Sequence, residues 1–250
     1  MFPKTILTLC LLTLFGCNSE EGLNCFQAAG TTVREEFAVA DFTKVTVYER
    51  TQLVIKQGPV QKVEIETGKN LLNDIEVTVT GDRLEIRNTN GCNLVREYGL
   101  TTAYITVPNV TEIRNSTGLD VRSDGVLNFP NLLLLSEDIE IEDQFHIDGD
   151  FYLNLNTENL EIIASGLSKF YLGGTVNAAT FVIDSGDARI EAAGLTVNHL
   201  EVFHRGTNEM IVNPQNSIKG KITGLGNVIA KNRPETVQVE TPYRGRLIFD

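Results

Sequence analysis

The chain has 250 residues, with 33 acidic against 21 basic side chains and a net charge of -12. A surface this acidic repels phosphate backbones and anionic headgroups, which argues against nucleic acid as a partner and against flat electrostatic binding to lipid. Twelve Phe, six Tyr and no Trp accompany short runs of Val, Ile, Leu and Thr. Gly, Asn and Asp bound those runs, a β composition long enough for one large all-β domain or two smaller ones.

The chain opens "MFPKTILTLCLLTLFGCNSEEG". Lys4 supplies a positive n-region, and Ile6 to Phe15 form an apolar run of about ten residues, too short to span a bilayer and suited to a signal-peptide core. "LFGC" resembles the lipobox of bacterial lipoproteins. The resemblance implies cleavage after Gly16, lipidation of Cys17, and membrane attachment through that lipid; an ordinary signal peptide is the alternative. Residues 1–16 are then leader and 17–32 the lipidated tether. The acidic "NSEEG" after Cys17 resembles a surface-export signal, so the expected location is the outer membrane, with cell-surface exposure left open. Cys25 and Cys92 remain, and two cysteines in an oxidising compartment are expected to pair.

Residues 33–108 hold alternating runs, "KVTVYERTQLVIKQG", "QKVEIET" and "DIEVTVTGDRLEIRN", with Gly81-Asp82 at a hairpin tip. They predict an antiparallel β region that caps one end of a repeat array.

That array is residues 109–250. Setting Thr117, Glu137, Gly166, Gly186, Gly206 and Gly224 at position zero gives spacings of 20, 29, 20, 20 and 18 residues. Four positions later stand Val121, Ile141, Phe170, Ile190, Met210 and Val228; four earlier stand Ile113, Leu133, Ile162, Val182, Val202 and Gly220. Period-two alternation between these anchors means strand. The expectation is a right-handed parallel β-helix, a solenoid of about 20-residue coils. A β-sandwich would explain the short strands but not the fixed phase. The 29-residue gap places a loop or hairpin within residues 142–158, and "KNRPETVQVETPYRGRLIF" is expected to cap the far end.

"FAVADFTKVTVYERTQLVIKQG", "VEIETGKNLLNDIEVTVTGDRLEIRN", "YITVPNVTEIRNSTG" and the serial "SG" turns resemble the head GIN domain of auto-transporter adhesins over about residues 33–234. The resemblance implies a β-helical fold, secretion or lipid anchoring, and no catalytic residues to carry over. Only "DSGDAR" keeps the family's usual Gly-Ser-Gly-Asp turn closely.

Catalytic candidates are sparse. The row Asp120, Glu140, Lys169, Arg189, Glu209 and Asn227 mixes signs, which suits cross-strand ion pairing rather than a catalytic carboxylate ladder. The acidic run around Glu137 to Asp150 lacks a calcium-loop spacing, so no metal or other cofactor is expected. His204 is phased with Asp184 on the neighbouring coil, read as a hydrogen-bonded pair. Leu134, Ile163, Ile183 and Phe203 form an apolar stripe read as outward-facing. Either the chain's own segments cover it or it is a partner surface for a second copy or an extended ligand. The function expected is a non-catalytic, lipid-anchored binding or adhesion head for glycan or extended protein. The alternatives are a carbohydrate-active enzyme and a structural component of an outer-membrane assembly.

Overall fold

The computed structural model describes residues 25, 27–92, 97, 99–139 and 144–250. Cys17 and the carboxylates Glu140, Glu142 and Asp143 lie outside them.

Alternating sequence becomes strand with one face buried. The first strands are β1 (Thr32–Glu36), β2 (Lys44–Tyr48), β3 (Thr51–Gln57), β4 (Lys62–Gly68), β5 (Ile75–Thr80), β6 (Arg83–Asn88) and β7 (Thr101–Val107). In β3 the side chains of Leu53 and Ile55 are fully buried and Gln52 and Val54 are partly exposed. Three short strands come after them: β8 (Glu112–Ser116), β9 (Val121–Leu127) and β10 (Asn131–Ser136). Four long strands come next: β11 (Phe151–Ala164), β12 (Lys169–Ile183), β13 (Arg189–His204) and β14 (Met210–Ile222). β15 (Val228–Ala230), β16 (Thr236–Glu240) and β17 (Leu247–Phe249) end the chain.

All 17 strands join one curled, mixed sheet. Two arms converge on the long strands. In one arm β5, β6, β2, β8 and β10 lead to the second half of β11; in the other β1, β4, β7, β3 and β9 lead to its first half. Each long strand bends between its halves, where Glu158, Asn177 and Asn198 drop out of register. Asn177 donates to Glu158 at 2.6 Å and Asn198 to Asn177 at 3.1 Å, so side chains hold the corner where the backbone ladder breaks. The core lies between the arms, with Phe151 and Phe170 stacked at 4.6 Å inside it.

The expected right-handed parallel β-helix solenoid is corrected by this topology. The fold is all-β, but it is a curled mixed sheet, a half-barrel rather than plainly a solenoid of equal coils. β1–β4, β4–β7 and β5–β6 are antiparallel within the same sheet, while β2 and β3 pair in parallel with β8 and β9. The parallel ladders also slip register at Tyr152/Asn154, Tyr171/Gly173 and Glu191/Thr196. The physical reason is that a turn repeat reports only where the chain bends. It does not encode the pairing direction of strands that lack the turn. The 29-residue gap also resolves differently: Phe151 to Glu158 is strand, and the excursion ends at Asp150.

The turns stack tightly. Asp187 N–H donates to the Gly166 carbonyl at 2.6 Å, Thr207 N–H to Gly186 at 2.9 Å and Leu225 N–H to Gly206 at 3.1 Å. Gly186 has φ +78°, and a Cβ there would sit 2.5 Å from the Gly166 nitrogen. Gly81, at the β5–β6 hairpin, has φ +64° and open space around it. Gly186→Ala is therefore expected to lower stability by about 2–4 kcal/mol and Gly81→Ala by about 1 kcal/mol, read from urea unfolding midpoints. Equal losses would show that conformation alone, not the stack, demands glycine.

Candidate functional site

The outward face of the arm ending in β16 carries three parallel rows, fixed by backbone register. The first runs Asn131, Asn159, Ala178, His199 and Ser217. The second runs Leu133, Glu161, Thr180, Glu201 and Lys219, and the third Leu135, Ile163, Val182, Phe203 and Lys221. Strand pleating puts all three on one side.

Side-chain size shapes this face. Ala178 and Thr180 on β12 are shorter than their neighbours on β11 and β13, so the surface sinks between them. Two adjoining hollows of about 300 and 280 Å³ share these two residues. Asn159 Nδ2 donates to Asn131 Oδ1 at 2.8 Å, and His199 Nδ1 lies 3.0 Å from Ser217 Oγ. Glu161 and Glu201 stand on either side of Thr180, about 9.6 Å apart along the ladder. The groove thus offers amides, hydroxyls, an imidazole, carboxylates and the Lys219 ammonium beside an apolar strip.

Of the stripe read from the sequence, Ile163 and Phe203 do lie outward and half-buried. Leu134 and Ile183 are corrected: both are fully buried in the core. Leu135 and Val182, one residue away, take their places in the outward row. The chain covers the head of this row itself. The Arg114 guanidinium sits 4.1 Å over the Phe145 ring and bonds Glu137 at 2.6 Å, and Phe145 stacks on Tyr48 at 6.1 Å.

His204 and Asp184 do not meet as a pair. His204 registers with Ile183 and donates from Nε2 to the Asn208 carbonyl at 2.8 Å, while Asp184 bonds Arg205 at 2.7 Å. His204 is fully buried and its Nδ1 has no hydrogen-bond partner, so burial pushes its pKa below the usual imidazole value. Within the mixed-sign row Arg189 bonds Glu209 on the neighbouring pass at 2.9 Å, and it also bonds Glu191 on its own strand at 2.6 Å. The opposite arm carries an outward ladder, with Tyr152 stacked on Tyr171 at 4.6 Å and Arg122 4.0 Å over Tyr152. Cys25 and Cys92 are joined in a disulfide with Cα atoms 4.5 Å apart. It ties the segment before β1 to the loop after β6. No group of three or more His, Cys, Asp or Glu able to hold a metal occurs among the described residues. Nor is any described helix long and apolar enough to cross a membrane.

The described residues thus form a sheet scaffold whose outward face presents an open groove. The chain belongs to the family described as "Putative auto-transporter adhesin, head GIN domain", which matches residues 41–234. Solved structures share the fold. A protein of Bacteroides fragilis described as an adhesin is similar with a TM-score of 0.78 and 21% identity, covering 88% of this chain and 97% of its own. Another from Parabacteroides merdae has a TM-score of 0.61, 17% identity and the same coverages. A Parabacteroides distasonis protein described as lipid binding has a TM-score of 0.60 at 14% identity, again covering 88% and 97%. Comparison with curated proteins finds no match.

The placement of the two faces is open to direct test. Ile183→Asp should unfold the domain, losing about 4 kcal/mol or more, whereas Phe203→Asp should leave the melting temperature nearly unchanged. The reverse order would invert the assignment of faces. His204 binds a proton more readily in the unfolded chain than in the folded one. Stability should therefore be full above pH of about 6.5 and fall as the pH drops below it towards the depressed folded pKa. Urea titrations between pH 5 and 7 should show a shallower slope for His204→Gln than for the parent chain; identical slopes would mean the imidazole titrates normally.

Proposed function

We propose that this chain is a non-catalytic head, lipid-anchored at Cys17 on the outer membrane, that binds an extended glycan along the groove over Ala178 and Thr180. The observation that carries the reading is an open hollow of mixed polar and apolar lining with the apolar row beside it. Sugars present hydroxyls on their edges and C–H groups on their faces, and such a surface meets both. An open trough suits a chain that enters from the side better than a small molecule held on all sides. The carboxylate rim fits hydroxyl donors rather than an acyl chain, which separates this reading from the lipid-binding description of one structural relative. Family membership supports an adhesive role at the cell surface.

An extended protein segment is the second reading, favoured by Leu135, Ile163, Val182 and Phe203 beside the groove. A glycoside-cleaving enzyme would use Glu161 and Glu201 as its pair. Their spacing is near the wide end of the range for inverting enzymes, but they stand exposed on an open surface rather than in a cleft.

The test is a glycan-array measurement on the lipid-free head, residues 23–250. A reproducible class of hits that is lost in Thr180→Tyr, which fills the hollow, supports the glycan reading. A blank array on folded protein moves the groove to a protein ligand. Shortened glycans in the incubation, abolished by Glu161→Gln, would establish the enzyme instead. Independently, growth with labelled palmitate should mark the full chain and leave Cys17→Ala unlabelled; an equal label would place the lipid elsewhere.

A further inference from the structure

The two ends of the sheet are unlike. At one end, Gln27 bonds the Asn70 carbonyl at 2.8 Å, Lys69 N–H bonds Thr31 and Asn70 N–H bonds Ala29, so a segment tied down by the Cys25–Cys92 disulfide packs on the turn after β4, and the edge strands β1 and β5 pair antiparallel with β4 and β6. At the other end, β16 pairs only with β14 and β17 only with β15 among the described residues. The segment expected to cap this end forms those two strands and leaves both edges open. Their core-facing residues lack the next layer: Val237 is 37% exposed, and Val239, Leu247 and Phe249 are only partly buried.

The free hydrogen-bonding groups can be assigned. Val228 N–H donates to the Arg246 carbonyl and Asp250 N–H to Ala230. In a parallel ladder, alternate residues bond to the same neighbour, so Leu247 and Phe249 direct their N–H and C=O groups away from the sheet. The same alternation, carried from the Thr223 N–H to His204 bond through the registers of β13, β14 and β16, leaves Val237 and Val239 likewise unpaired.

We propose that these two edges are a dimer interface, pairing antiparallel with β16 and β17 of a second copy about one two-fold axis through Gln238 and Ile248. Each strand is self-complementary about its centre. Across the axis Val237 meets Val239 and Leu247 meets Phe249, each as a hydrogen-bonded pair using the groups left free. Thr236 opposes Glu240, and Arg246 opposes Asp250 with opposite charge, so no like charges face each other. A single extended peptide would satisfy one edge. A second copy satisfies both and continues the core over four half-exposed apolar side chains. The interface does not rest on the ligand reading, because the groove lies on the outward face rather than at this end.

The two axial residues form non-hydrogen-bonded pairs with their own copies, whose Cα separation of about 4.5 Å suits a disulfide. In the full chain, purified in detergent with its leader processed, Gln238→Cys and Ile248→Cys should each oxidise to a covalent dimer. Ile229→Cys, one strand in from the edge, and Glu76→Cys, at the opposite end, should remain monomeric on a non-reducing gel. Sedimentation of the parent chain should give a dimer, and Val239→Pro, which removes only an outward N–H, should lose it while retaining its circular dichroism. A monomer with no axial cross-link overturns the proposal, as do open filaments or cross-linking equal at all four positions. If Val239→Pro unfolds, the four cysteine variants decide alone.

Discussion

The structure depends on a column of turns that leaves no room for a Cβ. Gly186 sits against the backbone of Gly166, Gly206 lies over Ile183 and the Gly186 carbonyl, and Gly224 lies over the Gly206 carbonyl. Each turn accepts or donates a backbone hydrogen bond to the one beside it, so the chain returns to the same place at each pass. Strands launched from such a column are held in register before any side chain is considered. The second corner, at Glu158, Asn177 and Asn198, is softer: the backbone breaks register there and side-chain amides bridge the gap. One corner is fixed by the absence of side chains and the other by their presence.

That division frees the outward face. Backbone ladders and the buried rows of Phe, Ile, Val and Leu hold the fold, so residues such as Ala178, Thr180 and Glu201 answer to the surface alone. Short side chains at register-matched positions then suffice to sink a groove into an otherwise flat sheet. The opposite arm shows the contrast. There the outward residues satisfy each other, with Arg122 over Tyr152, Tyr152 on Tyr171, and Arg189 between Glu191 and Glu209. A face whose charges and rings are already paired gains less from a ligand than one whose carboxylates stand beside a hollow.

The same physics decides which parts of the fold are legible in the sequence. Val121, Phe170, Ile190, Met210 and Val228 do form one buried row, because each stands at a constant distance after the rigid turn. The turn phase assigns Ile141 to that row as well; Ile141 lies outside the described residues, and Phe151 is the residue registered with Val121. Before the turn, phase is less secure. "LLLL" and "FVI" are apolar at consecutive positions, so alternation does not say which residues face inward. A slip of one residue puts Leu134 and Ile183 on the wrong face, while Ile163 and Phe203 are placed correctly. The antiparallel pairs are expected as a separate cover; their union with the parallel strands in one sheet is not, because nothing local to β2 or β3 names a partner 68 residues away in β8 or β9. The groove is invisible for the same reason. Ala178 is a small residue in a strand until register sets it between Asn159 and His199.

The two ends of the sheet complete the contrast between protected and available hydrogen-bonding groups. At the antiparallel end a disulfide-tethered segment holds the turn after β4 through polar contacts to Asn70. The parallel end presents Val237, Val239, Leu247 and Phe249 with no covering segment among the described residues and no charge among those four. Exposed edges of this kind are normally blunted by lysine, proline or a bulge. Here the central edge residues are Gln238 and Ile248, which neither repel a copy of themselves nor remove a donor. Pairing at this end would also set the second row of one copy, through Lys219 and Gln238, in line with that of the other. The groove would then run continuously across both heads, and a ligand long enough to cross the axis would be held twice, with the second contact formed at high effective concentration.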